Sequence, residues 1–200
     1  MAAYACADLH LGHRNIHKYR NKPDGWALDQ TAMFTNFADS AEHDQCVVDR
    51  WLEMGFKTKR DTIYLMGDLA FTPEAWDLLD SLPGRKVVIL GNHCTERTHI
   101  EKIASLKTVN NVHSMLSYKG MWLTHAPMHP AHLRGKRNLH GHLHGDLVKD
   151  PRYFNCGLEH TNMRPIPLEE IFEEFDRRRS FNYVRQKLGW RAALQGLCNG

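Results

Sequence analysis

Five short groups in this 200-residue chain are of residue types that bind metal ions: Asp8 with His10, Asp68, Asn92 with His93, His125, and His142 with His144. Carboxylate and amide oxygens mixed with imidazole nitrogens suit Mn, Fe, Zn, Co or Ni better than Mg or Ca, which prefer oxygen alone. Histidine is the anomaly of the composition, since its 14 copies outnumber Met, Pro and Phe at 8 each. A single histidine is ordinarily a surface or hydrogen-bonded core residue. Five groups in order, with Gly67, Gly91 and Gly141 beside three of them, argue instead for one site.

Each group follows a segment that reads as a buried strand. Ala3 to Ala7 precedes Asp8, Thr62 to Met66 precedes Gly67-Asp68, and Lys86 to Leu90 precedes Gly91-Asn92-His93. Helical patterns lie between them. Residues 30 to 54 space Phe34, Phe37, Ala41, Val47, Val48, Trp51 and Leu52 at mostly three and four, with Gly55 placed to end the helix. Thr72-Pro73-Glu74 starts a second helix, and Thr95 opens a third carrying Ile100 and Ile103. This βαβα order implies helices on a parallel or mixed sheet.

The second half predicts a hairpin of Val112 to Leu116 and Met121 to Thr124 around Ser117 to Gly120, then strands at Arg137 to His140 and Tyr153 to Cys156. A tail helix carries Leu168, Ile171, Phe172 and Phe175 and ends at Arg177-Arg178-Arg179, and an amphipathic stretch with Tyr183, Val184, Leu188, Trp190 and Leu194 follows. Loops beyond the carboxyl ends of strands converge on one crevice in open α/β sheets, so the five groups can meet. Alternation in an extended segment would turn both members of Asp8-x-His10, and both of His142-x-His144, the same way.

The net charge of +3 falls short of a dedicated nucleic-acid binder, so nucleic acid is a possible partner that charge does not indicate. Cys6, Cys46, Cys94, Cys156 and Cys198 are odd in number and never form C-x-x-C, which favours free thiols over disulfides or a thiolate zinc site. No apolar run is long enough to span a membrane, and no secretory signal pattern opens the chain, so a cytoplasmic location is expected.

The motifs D-x-H, G-D, G-N-H, an isolated His after a strand, and G-H-x-H, in that order, resemble the calcineurin-like metallophosphoesterases. Asp8-Leu9-His10-Leu11-Gly12-His13-Arg14-Asn15-Ile16, Gly67-Asp68-Leu69-Ala70-Phe71 and Gly141-His142-Leu143-His144-Gly145 are similar to the small stand-alone members of bacteria and phages. The likeness spans roughly residues 3 to 172 and takes in Asn155-Cys156-Gly157 and Pro165-Ile166-Pro167-Leu168. It implies a four-layer α/β/β/α sandwich of two mixed sheets flanked by helices over residues 1–172, with residues 173–200 a helical extension packed on the domain or on a partner. The chain would be a monomer or homodimer.

The same resemblance implies two divalent transition-metal ions, most often Mn²⁺, with Fe, Ni, Co and Zn as alternatives. Asp8, His10 and His144 would hold one, Asn92, His125 and His142 the other, and Asp68 would bridge them. A metal-activated hydroxide would attack a phosphomonoester or small phosphodiester, nucleotides among the candidates, while His93 stabilises the phosphoryl oxygens or protonates the leaving oxygen. A nuclease or cyclic-nucleotide phosphodiesterase would use the same metals, and a non-catalytic binding module could share the fold.

Two positions depart from the family pattern. Cys94 stands where many members have an acid after G-N-H, so the carboxylate that orients His93 must come from elsewhere, and Phe71 replaces the second Asp of G-D-x-x-D. His13, Arg14 and Asn15 are candidates to meet a substrate phosphate, or a loop packing on the next helix. His129, His132, Arg134, Lys136 and Arg137 form a basic loop that suits either an anionic substrate or solvent.

Overall fold

The structure, a computed structural model, describes residues 2–20, 37–57, 60–96 and 98–188, with side chains as far as residue 181. Phe34 and the start of the helix expected from residue 30 lie outside these residues. So do Trp190, Leu194 and Cys198, and the side chains of Tyr183, Val184 and Leu188.

The chain is an α/β fold of two mixed sheets flanked by helices. The first sheet contains β1 (Ala3–Cys6), β2 (Thr62–Met66), β3 (Arg85–Ile89), β4 (Val109–His113) and β9 (Ile166–Pro167), in the order β4-β3-β2-β1-β9. Its first four strands are parallel and β9 runs antiparallel to β1. The second sheet, in the order β5-β6-β7-β8, contains β5 (Leu116–Tyr118), β6 (Met121–Leu123), β7 (Arg137–His140) and β8 (Tyr153–Asn155). Only β5 is antiparallel to its neighbour there.

Strand alternation builds two cores. Cys6, Ile63, Leu65 and Val88 face a cluster with Val47 and Trp51 of α2 (Ser40–Glu53), Trp76 and Leu79 of α3 (Pro73–Ser81), and Ile103 of α4 (Ile100–Ala104). On the opposite face Ala5, Tyr64, Met66, Val87 and Ile89 pack against Met121, Leu123, Leu139 and Phe154 of the second sheet. Leu168, Ile171 and Phe175 of α5 (Leu168–Leu188) join this second cluster. Each large side chain buried this way contributes ~1.5 to 3 kcal/mol. The outer face of the second sheet is covered by residues 126–136: Trp122 Nε1 donates to the Leu133 carbonyl at 3.3 Å and the Tyr153 hydroxyl to that of Met128 at 2.6 Å.

Several expectations hold. Thr72 caps α3, its Oγ1 accepting from Ala75 N–H at 3.2 Å, and Pro73 is the first helical residue. Four need correction. The apolar stretch from Val112 to Leu116 is not one strand: β4 ends at His113 in the first sheet, and β5 begins at Leu116 in the second, so the hairpin turns at Lys119-Gly120. Thr95 does not open a helix, because the G-N-H loop continues in turns until α4 begins at Ile100. The described part of the helix sought from residue 30 begins at Ser40, where Asp39 Oδ1 accepts from Glu42 N–H at 2.9 Å. The tail helix does not stop at Arg179, since α5 runs unbroken to Leu188, and Glu174 pairs with both Arg177 and Arg178 on its surface.

The two sheets are stitched together at one end. Ala7 N–H donates to the Cys156 carbonyl at 2.9 Å, and Cys156 N–H to that of His140 at 2.8 Å. This seam lies where β1, β7 and β8 end and the loops with the candidate ligands begin.

Candidate metal centre

Asp8 and His10 follow β1, Asp68 follows β2, Asn92 and His93 follow β3, His125 follows β6, and His142 and His144 follow β7. The structure brings them together, but not by strand alternation. Asp8, His10, Asp68, His142 and His144 have φ of 57°, 52°, 50°, 69° and 48°, so both expected extended pairs are left-handed turns. Non-glycine residues seldom adopt this region, and each does so at a cost of ~1 to 3 kcal/mol that the surroundings must offset.

Asp8, His10 and His144 form one group, with ligand-type atoms within 4.8 Å of one another. Asp8 is fully buried. Its Oδ2 accepts from His142 N–H at 2.8 Å, while Oδ1 and both ring nitrogens of His10 are buried without a hydrogen-bond partner. Burial, followed by the nearby Glu159 charge, pushes the Asp8 carboxyl up to about 6. Burial and then Arg20 hold His10 far below the usual imidazole value, so it is neutral, with a lone pair available. Orphaned donor atoms of this kind are what a cation satisfies.

Asp68, His125 and His142 form the second group. His125 Nδ1 lies 3.0 Å from the Met66 carbonyl, to which it donates, leaving Nε2 to face the site. Around that Nε2 stand Asn92 Oδ1 at 2.9 Å, His142 Nδ1 at 3.0 Å and Asp68 Oδ2 at 3.2 Å. One nitrogen cannot hydrogen-bond well to three such atoms. Donors ~2.1 Å from a shared ion, however, stand roughly 3 to 3.4 Å apart. Burial lowers the proton affinity of His125, but Asp68 and then Asp8 more than reverse this, so its proton affinity is raised on balance.

Two glycines make the closeness possible. A Cβ on Gly91 would collide with Asp68 Oδ1, and one on Gly141 with Asp8 Oδ2. Both motifs therefore require glycine for space, since neither residue has positive φ.

His93 is more open, its side chain 38% exposed. Its N–H donates to Asp68 Oδ1 at 2.9 Å and its Nδ1 lies 2.8 Å from Glu96 Oε1, which supplies the carboxylate absent from position 94. Cys94 instead points into the core, 1% exposed, and its Sγ accepts from Gly91 N–H at 3.3 Å. Phe71 lies against His10 with ring centroids 5.2 Å apart and planes at 20°, and its edge meets His13 at 4.6 Å. His13 thus sits at the margin of the site. Arg14 and Asn15 are exposed in the turn that starts α1 (Ile16–Arg20), and among the described residues neither side chain hydrogen-bonds to the ligand group. In the basic loop Lys136 stacks over Trp122 and Arg137 pairs with Asp176, while His129, His132 and Arg134 are exposed.

Sequence reasoning missed three residues besides Glu96. Glu159 Oε1 lies 2.9 Å from His144 Nδ1 and 2.8 Å from Arg20 Nε. Glu159 raises the proton affinity of His144, and although burial opposes its ionisation, Arg20 and His144 hold its own carboxyl far below the usual range. His43 follows, its Nε2 2.7 Å from Arg20 Nη1. An acid three residues after His93 was a readable signal for Glu96, whereas Arg20 and His43 gave none.

No family model matches the chain. It is similar to the uncharacterized protein MJ1445 of Methanocaldococcus jannaschii, 28% identical over 178 residues that cover 84% of this chain and 88% of that protein. The Gene 66 protein of Mycobacterium phage D29 is 26% identical, covering 84% of this chain and 92% of its own length. The Gene 66 protein of Mycobacterium phage L5 is 30% identical over 92 residues, only 37% of its length. Among solved structures, the protein of unknown function AQ665 from Aquifex aeolicus shares the fold, with a TM-score of 0.60 at 19% identity over 86% of this chain and 98% of that one.

Proposed function

We propose that the chain is a dinuclear-metal phosphoesterase with the four-layer calcineurin-like fold, hydrolysing phosphomonoesters or small phosphodiesters. The observation that carries this reading is the adjacency of two three-residue donor groups, Asp8–His10–His144 and Asp68–His125–His142, with Asp8 Oδ1 and both His10 ring nitrogens of the first buried and without a hydrogen-bond partner. Asp8, His10 and His144 would hold one ion, and Asn92, His125 and His142 the other, with Asp68 shared. When bound, two divalent ions, Mn²⁺ or one of Fe, Ni, Co and Zn, supply phosphoryl charge neutralisation and a water acidified toward neutral pH.

The chain's own residues orient and complete the site. Asp68 fixes the G-N-H turn by accepting the His93 N–H, and Glu96 holds the His93 ring by Nδ1. His93 Nε2 is then free to donate a proton to the leaving oxygen or a hydrogen bond to the phosphoryl group. His13 and Phe71 border the substrate entrance. No described helix is long and apolar enough to cross a membrane.

The test is a panel of p-nitrophenyl phosphate, bis-p-nitrophenyl phosphate, cyclic nucleotides and single-stranded DNA, assayed with Mn²⁺ and with Fe, Ni, Co and Zn. Turnover of the first two that chelator abolishes is expected. Preference for cyclic nucleotides or DNA would move the assignment to the phosphodiesterase or nuclease reading, and no turnover with any metal would overturn it.

A further inference from the structure

We propose that Arg20 is the positioning residue that assembles the first metal site, acting directly on the Asp8–His10 loop and through Glu159 on His144. This rests on the metal reading above and adds to it two residues that would touch neither ion nor substrate.

One guanidinium reaches both loops that supply this site. Its Nη2 donates to the Asp8 carbonyl, Nη1 to the Leu9 carbonyl at 3.4 Å, and Nε to Glu159 Oε1 at 2.8 Å. The Arg20 and Glu159 side chains are 2% and 5% exposed, so these contacts are made away from water. Breaking such a pair from one side leaves an uncompensated charge in the interior. The far end of the same loop is fixed from α2. His43 Nε2 lies 2.7 Å from Arg20 Nη1, its Nδ1 lies 2.8 Å from Asp44 Oδ1, and Asp44 Oδ2 accepts from Gly12 N–H at 2.7 Å.

The loop needs this support, because Asp8 and His10 both stand in the left-handed region and no hydrogen bond holds the His10 ring. Left-handed non-glycine residues persist only where their surroundings over-determine them. On the other loop, Glu159 accepts the Nδ1 proton of His144 and so aims Nε2 at the site, the arrangement in which a carboxylate fixes the tautomer of a metal-binding histidine. A lysine could not replace Arg20, since an ammonium lacks the planar fork that serves two carbonyls and a carboxylate together.

The experiment titrates Mn²⁺ alone into metal-free full-length protein by calorimetry and records the Mn²⁺ EPR spectrum of each variant. Wild type should bind two ions and give the spectrum of a coupled pair. Glu159→Gln, which keeps shape and removes charge, should weaken one ion ~10- to 100-fold and leave the other unchanged. Arg20→Lys should weaken the same ion further and leave the spectrum of an isolated Mn²⁺. If Arg20→Lys does not fold, by circular dichroism, Glu159→Gln decides alone. Two ions of wild-type affinity in Glu159→Gln, or equal weakening of both, overturns the proposal while leaving the two-metal reading intact. Failure of wild type to bind Mn²⁺ overturns both.

Discussion

The two donor groups are held by different means. Asp8, His10 and His144 are kept apart and facing inward by groups that are not ligands: Arg20 on the loop carbonyls, Glu159 on His144 and the Phe71 ring against His10. Asp68, Asn92, His125 and His142 are held largely by one another, converging on His125 Nε2, and His142 is exposed. The first group is organised by its surroundings and leaves donor atoms without a hydrogen-bond partner. The second satisfies itself with contacts that a bound ion would have to replace. The first is supported by an ion pair buried beneath it, whereas in the second His142 is exposed.

The largest expected effect removes what the two groups share. Asp68→Ala should release both ions, whereas His144→Ala and His125→Ala should each release one, as read by Mn²⁺ calorimetry and metal analysis. Two tightly held ions in Asp68→Ala would show that the groups are independent and that no bridging carboxylate joins them.

His93 lies outside both groups, and His93→Ala is expected to keep two ions while the rate falls ~10²- to 10⁴-fold. The loss should be smaller on p-nitrophenyl esters, whose leaving group departs without a proton, than on alkyl phosphates. Equal losses on the two substrates would assign His93 to phosphoryl charge instead of proton donation.

The burial of Asp8 predicts a pH signature that substitution of this one residue isolates. The Asp8 carboxyl is raised to about 6 in the metal-free fold, from near 3.8. Between those values the folded state binds more protons than the unfolded one, so this contribution is complete below pH ~4 and is lost as pH rises through 6. The difference corresponds to about 3 kcal/mol. His10 and His140, held neutral mainly by burial, act in the opposite direction, so the quantity to measure is the difference between wild type and Asp8→Asn. In chelator, the advantage of wild type over the variant should shrink from pH 4.5 to 7. A constant difference would show that Asp8 titrates normally.

The second group was legible in the sequence because glycine and ligand stand side by side after an apolar run, and Gly91 proves to be required by the closeness of Asp68. Support for the first group was not legible. Arg20 closes His17-Lys18-Tyr19-Arg20, a basic run in which nothing marks one charge as buried, and its partner Glu159 lies in another loop, joined only by the fold. Left-handed φ at Asp8 and His10 was equally hidden, because the enrichment of Asp and His in that region is too weak to mark individual positions. The inner strands read cleanly since parallel strands are apolar on both faces, whereas Val112 to Leu116 misled because two strands of different sheets share one apolar stretch.

The smallest expected effect tests whether the second group and its neighbours rely on local contacts as loosely as their exposure suggests. Glu96 is 52% exposed and its only described side-chain contact is the 2.8 Å approach to His93 Nδ1. Exposed pairs of this kind contribute ~0.2 to 1 kcal/mol, because water screens the charges and both side chains lose freedom. Glu96→Gln should therefore lower the rate by no more than about fivefold, keep both ions, and leave thermal stability nearly unchanged, since a glutamine oxygen still accepts the Nδ1 proton and only the charge is lost. The measurement is the pH dependence of kcat/KM on an alkyl phosphate for wild type and variant. A loss as large as that of His93→Ala would mean that Glu96 is held in place when substrate binds, and that the open side of the centre closes into an arrangement as fixed as the Arg20 side already is.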